Sequence, residues 1–138
     1  VDRLTGADEG RDRRQLAVID ARGRVRAYTG SRTSDWAGHI EGENYSVQGN
    51  ILVSEDVVRS MAHAFETTEG ELAERLMAAL DAGQAAGGDA RGKQSGGILV
   101  VKPIGDSDFT VLDGTRSFQP HFQQNCRVMS LRAVQFWQ

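Results

Sequence analysis

The sequence predicts an α+β domain in which two neighbouring helices cover one face of an antiparallel sheet. Three observations carry this. Residues 15–28 alternate and turn like a hairpin. Residues 55–85 hold two apolar stripes at helical spacing. Residues 96–102 then return to a short buried run after a glycine cluster.

Length and charge set the frame. The chain has 138 residues, enough for one core and too few for two. Lys and Arg number 16 against 19 Asp and Glu, a formal charge of −3. That balance argues against nucleic acid as a partner. Apolar runs are too short to span a membrane, the longest being Ile98-Leu99-Val100-Val101. No basic-then-apolar leader opens the chain. The lone Cys126 excludes a disulfide framework and a multi-cysteine metal site, so the default expectation is a cytoplasmic protein with no metal and no cofactor.

The elements follow in order. Gln15 to Ile19 reads as a strand, Asp20-Ala21-Arg22-Gly23 as a turn, and Arg24 to Tyr28 as the returning strand. Thr29 to Asn44 reads as loop. Tyr45 to Val53 reads as a strand interrupted at Gly49-Asn50, where a bulge or a close backbone approach is expected. Ser54 caps a helix of about 55–67 whose inner face is Val57, Val58, Met61, Ala62 and Phe65. Thr68 and Glu71 form a capping box for a second helix, about 69–85, with Leu72, Leu76, Ala79, Leu80 and Gly83 on its inner face. Gly87-Gly88 ends it. Phe109 to Leu112 is a last strand candidate. From 114 onward acids cease and aromatics gather, so residues 111–138 form a tail of different composition.

Two motifs are near misses. Gly87 to Gln94 almost spells a phosphate loop, but Gln94 fills the hydroxyl slot and the order is helix–loop–strand rather than strand–loop–helix. Cys126 and Arg132 have phosphatase spacing, yet the residues between them lack glycine and alternate like a strand. His39 stands out among the three histidines, because it follows Trp36-Ala37-Gly38 in a polar, glycine-marked stretch.

Several blocks occur in a familiar order: Arg14-Gln15-Leu16-Ala17-Val18-Ile19-Asp20, Thr29-Gly30-Ser31, Trp36-Ala37-Gly38-His39 and Val47-Gln48-Gly49-Asn50-Ile51-Leu52. Leu72-Ala73-Glu74-Arg75-Leu76 and Ala82 through Asp89 to Gln94-Ser95 follow. Over about residues 10–110 the chain resembles the family catalogued as domain of unknown function one thousand and twenty-eight, whose members are similar to Ntn (N-terminal nucleophile) hydrolases. The resemblance implies an α-β-β-α sandwich of antiparallel sheets with outer helices, incomplete in this chain. It sets residues 1–110 as the domain and 111–138 as a divergent tail, part of that domain or an interface.

An Ntn enzyme uses a terminal Thr, Ser or Cys whose own amine is the base. Val1 cannot serve, so the family's opening segment is expected on another chain or is absent. The expectation is therefore a small-molecule amide hydrolase when complete. The rival reading is a non-catalytic binding or assembly module on the same scaffold. Catalytic residues stay unassigned. The pocket candidates are His39, Asn44, Gln48, Asn50, Asp89, Arg91 and Gln94. Gln48 and Asn50 flank Gly49 as oxyanion donors, Arg91 offers a bidentate carboxylate grip, and Asp89 orients it. A homo-oligomer, or a separate N-terminal partner chain, is expected to cover the sheet edge and face left open.

Overall fold

The computed structural model describes residues 1–93 and 95–100, together with the backbone of 110–113. A short helix, α1 (Asp2–Gly6), and a 3-10 turn (Arg11–Arg13) lead into the first hairpin. That hairpin is β1 (Gln15–Ile19) against β2 (Val25–Thr29), antiparallel, with Gln15 opposite Thr29 and Ala17 opposite Ala27. Gly23 sits at φ 77° in its turn, a conformation that glycine adopts without the Cβ clash.

The second hairpin corrects the loop expected over Thr29 to Asn44. Trp36–Gly42 is a strand, β3, and it pairs with β4 (Tyr45–Leu52). Three glycines masked it, because glycine is a poor strand former. The interruption expected in β4 is present. Register runs regularly from Gly42 opposite Tyr45 to Gly38 opposite Gly49, then slips before Trp36 opposite Leu52. Ile51, inside the slip, adopts φ 57°, unusual for a β-branched residue.

Two helices follow, α2 (Asp56–Thr67) and α3 (Leu72–Ala85). The N-cap of α2 is Glu55, without a side-chain cap bond, rather than the expected Ser54; Ser54 Oγ accepts the backbone N–H of Asp56 from one residue further out. The capping box of α3 is displaced from the expected pair. Glu71 is its N-cap and Glu74 the reciprocating residue, with Glu71 N–H donating to Glu74 Oε2 at 2.9 Å. Glu71 competes successfully because its extended backbone sets it one residue before the first helical turn. The expected apolar face of α2 is buried in full: Val57, Val58, Met61, Ala62 and Phe65. On α3, Leu76, Ala79 and Gly83 are buried. A Cβ on Gly83 would meet Met61 Cγ at 2.7 Å, so this glycine lets the helices approach.

The helices lie side by side, but they do not share one sheet. α2 packs on β3 and β4, whereas α3 reaches β5 (Gly97–Val100), which pairs antiparallel with β6 (Thr110–Asp113). The core gathers Tyr45, Val47 and Leu52 from β4, both helix faces, and Ile98 from β5. Arg75 fastens it from outside: its guanidinium donates twice to Phe65 O, at 3.0 and 2.8 Å, and lies 4.1 Å from the Phe65 ring centroid.

The architecture of the described residues is a mixed α+β fold with three two-stranded antiparallel sheets. The four-layer sandwich is a finer statement than this. β2 lies along β3 and β1 along β4, with no backbone ladder joining the two hairpins. Cys126, Arg132 and nearly all of the compositionally distinct tail lie outside the described residues.

Candidate functional site

Strand pairing sorts the side chains of β3–β4 onto two faces. Cross-strand partners share a face. Ile40 with Val47, and Gly42 with Tyr45, belong to the core face against the helices. His39 with Gln48, and Glu41 with Ser46, belong to the opposite face, which meets the first hairpin.

That second face is polar, and Gln15 is its hub. Gln15 Nε2 lies 3.1 Å from Gly38 O, 2.8 Å from Gly49 O and 3.0 Å from Thr29 Oγ1. The two carbonyls only accept, so this atom is the nitrogen, and Oε1 is left to accept from Asn50 Nδ2 at 3.0 Å. Thr29 Oγ1 receives from Gln15 and lies 2.8 Å from His39 Nδ1. Which of the two donates in that bond depends on the His39 tautomer. His39 and Asn50 thus join one network through Gln15 and Thr29.

Gln48 sits beside them, 4% exposed, and its Oε1 has no partner among the described residues. Ser46 Oγ, two residues earlier on the same face, is equally unpaired. Glu41 is occupied: its carboxylate accepts Ala27 N–H at 2.6 Å and Arg26 Nη1 at 3.0 Å. The bond from Ala27 is the main reason its carboxyl is held below the usual range, with Arg26 adding to it.

Asp89 and Arg91 stand at the end of β4. Asp89 bridges to Leu52, Ala90 N–H donates to Ile51 O, and Val53 N–H donates to Gly88 O. Asp89 is 6% exposed and grips Arg91 at both oxygens, from Nε at 2.9 Å and Nη2 at 2.6 Å. That pairing lowers the Asp89 carboxyl and raises the Arg91 guanidinium. Arg91 is thus engaged by Asp89 and shares no bond with His39 or Asn50 among the described residues. Asn44 lies at the other end of the hairpin, in the β3–β4 turn at φ 63°, beside Gly23 of the β1–β2 turn. Gln94 lies outside the described residues.

Sequence reasoning passed over Gln15 and Thr29. The signal was available: both occupy the strand face that otherwise carries Ala17, Ala27, Ile19 and Val25. Among the described residues, no three His, Cys, Asp or Glu side chains gather to hold a metal, and no helix is long and apolar enough to cross a membrane.

Comparison with known proteins places the chain beside a family and a solved structure. The family of unknown function DUF1028 matches residues 1–132, well past the 10–110 span that the motifs carried. The crystal structure of protein SPO2555 from Silicibacter pomeroyi, itself assigned to DUF1028, is 37% identical with a TM-score of 0.60. The alignment covers 63% of this chain and 40% of that one. None of the curated proteins matches.

Proposed function

This chain belongs to the family of unknown function DUF1028, and from that premise we propose that its polar layer is the substrate-holding part of an Ntn-type amide hydrolase acting on a small molecule. The α-β-β-α sandwich is part of the same proposal, with β1–β2 and β3–β4 as its facing sheets and α2 on the outer side. The observation that carries the reading is the buried, unpartnered Gln48 beside the ordered His39–Thr29–Gln15–Asn50 network. Buried polar groups without partners are uncommon, and they collect where a ligand or water is to be met. Asn50 has a second amide hydrogen for a developing oxyanion. His39 Nε2, the ring nitrogen that Thr29 does not engage, is a further polar group. The attacking hydroxyl or thiol of an Ntn site comes from a chain terminus.

A second reading has its own support. Gln15 uses its whole carboxamide to tie the hairpins together, which is what a scaffold for binding or assembly needs. Self-association through the outer face of β1–β2, where Val18 is 44% exposed, belongs to that reading. The two separate by assay. A panel of small amides is incubated with the protein, alone and with the longer family relative, and amine release is followed. Turnover that falls at least tenfold in Asn50→Ala and His39→Gln supports the hydrolase. Ligand binding without turnover, or concentration-dependent dimerisation in sedimentation, supports the scaffold.

A further inference from the structure

The Gln48 carboxamide presents an unusual chemical state. It is 4% exposed, and its Oε1 accepts no hydrogen bond from the described residues. A carboxamide offers one acceptor and a donor pair side by side. Leaving such a group buried and unmade is penalised relative to a bonded one. Its neighbours are already committed. Glu41 is taken by Arg26 and Ala27, and His39 Nδ1 by Thr29. Ser46 Oγ is the other orphan on this face. The facing strands carry Ala17 opposite Ala27 on the face shared with Gln15 and Thr29, so they add no polar side chain there.

We infer that Gln48 recognises a neutral amide group of a small ligand, a primary carboxamide, lactam or ureido group, through two parallel hydrogen bonds. The chemical complement of a carboxamide is another carboxamide, N–H to oxygen and oxygen to N–H. This holds whichever way the Gln48 amide is turned. A carboxylate offers only acceptors and an ammonium only donors, so each leaves one end of Gln48 unmade. Neither finds a counter-charge, because the carboxylate and guanidinium at hand are paired with each other, and burying a bare ion is costly. His39 Nε2 and Ser46 Oγ remain to bond the second lone pair and any further N–H of the ligand. Entry is through the seam between the hairpins. They share no backbone ladder and are held by side chains from Gln15, Thr29, Asn50 and Glu41.

This inference rests on the polar layer being a ligand site, and it concerns recognition rather than cleavage. The test uses the whole chain and three probes of one shape: propionamide, propionate and propylammonium. The Gln48 side-chain amide resonance is followed by NMR during each titration. The expected result is a saturable shift with propionamide at least tenfold tighter than with either ion, lost tenfold or more in Gln48→Leu. No saturable shift, equal response to all three, or a Gln48 amide bonded to a buried water that propionamide leaves in place would overturn it. The wild-type comparison stands without any variant. Propionamide binding with no amide turnover, even with the longer family relative present, would count against the hydrolase reading and leave this inference intact. Turnover indifferent to Gln48 would do the reverse.

Discussion

The β3–β4 hairpin faces two different interiors. Toward α2 it presents Tyr45, Val47 and Leu52 to Phe65, Met61 and Val58, an apolar contact without direction. Toward β1–β2 it presents His39, Gln48 and Ser46 to Gln15 and Thr29, a contact made of directed bonds. The first face gains from area removed from water and tolerates reshaping. The second gains little net energy from each bond but fixes geometry, because every unmade bond is penalised. One hairpin thus holds the fold with one side and a chemical arrangement with the other.

The apolar side should break hardest. Phe65 is 6% exposed, packs on Tyr45 at a centroid distance of 4.9 Å and underlies the Arg75 guanidinium. Phe65→Ala is expected to cost about 3–5 kcal/mol in urea unfolding. A loss below about 1 kcal/mol would mean that the core is centred elsewhere.

Tyr45 joins the apolar side to a charge, since its hydroxyl donates to Glu66 Oε1 at 2.5 Å. Burial first, and then Glu66, push its phenol up to about 12. The folded value lies above the unfolded one near 10. The protonated phenol therefore contributes stability in full below pH 10, and that contribution is lost as pH rises through about 12. Wild type should lose roughly 2–3 kcal/mol relative to Tyr45→Phe across that window. Parallel stability curves for the two proteins from pH 9 to 12 would contradict it.

The polar side should break more gently, and with a different signature. Gln15→Ala strands the Asn50 amide, two glycine carbonyls and one Thr29 bond. Gln15 is only half-buried, so water relieves part of this, and the expected loss is about 1–2 kcal/mol. The sharper readout is His39. With the Gln15 donor gone, Thr29 is released to rotate, and the His39 ring nitrogens should shift toward a mixture of tautomers in 15N NMR. An unchanged tautomer would mean that Gln15 only fastens the hairpins.

The two faces were unequally legible in the sequence. The α2 stripe could be read because apolar residues at helical spacing have few alternative meanings. The polar layer could not, because its members come from four strands and only tertiary pairing puts Gln15 beside Asn50, 35 positions away. His39 and Asn50 were singled out by their glycine neighbours, yet the same glycines hid the strand that carries His39. Asp89 and Arg91 pair locally, two residues apart, which spacing alone made plausible. What spacing could not give is that this pair closes on itself, with Asp89 bridging to Leu52, while the hub of the layer is an unremarked glutamine.

The slip between the faces gives the finest test. Ile51 is held at φ 57° by bonds at both ends of its peptide, from its N–H to Ser34 O at 3.1 Å and from Ala90 N–H to its carbonyl at 2.8 Å. A left-handed β-branched residue is strained by about 1–2 kcal/mol. That strain is sustained because the slip returns Leu52 to the core directly after Asn50 has bonded to Gln15 on the opposite face. Ile40 is the matched control: a half-buried isoleucine on the neighbouring strand, with regular pairing and no positive φ. Both Ile→Gly changes remove the same side chain, but only the one at 51 relieves strain. Ile51→Gly should therefore destabilise by about 1 kcal/mol less than Ile40→Gly. Equal losses would show that residue 51 carries no strain, and that the return of Leu52 to the core is the chain's unforced local preference.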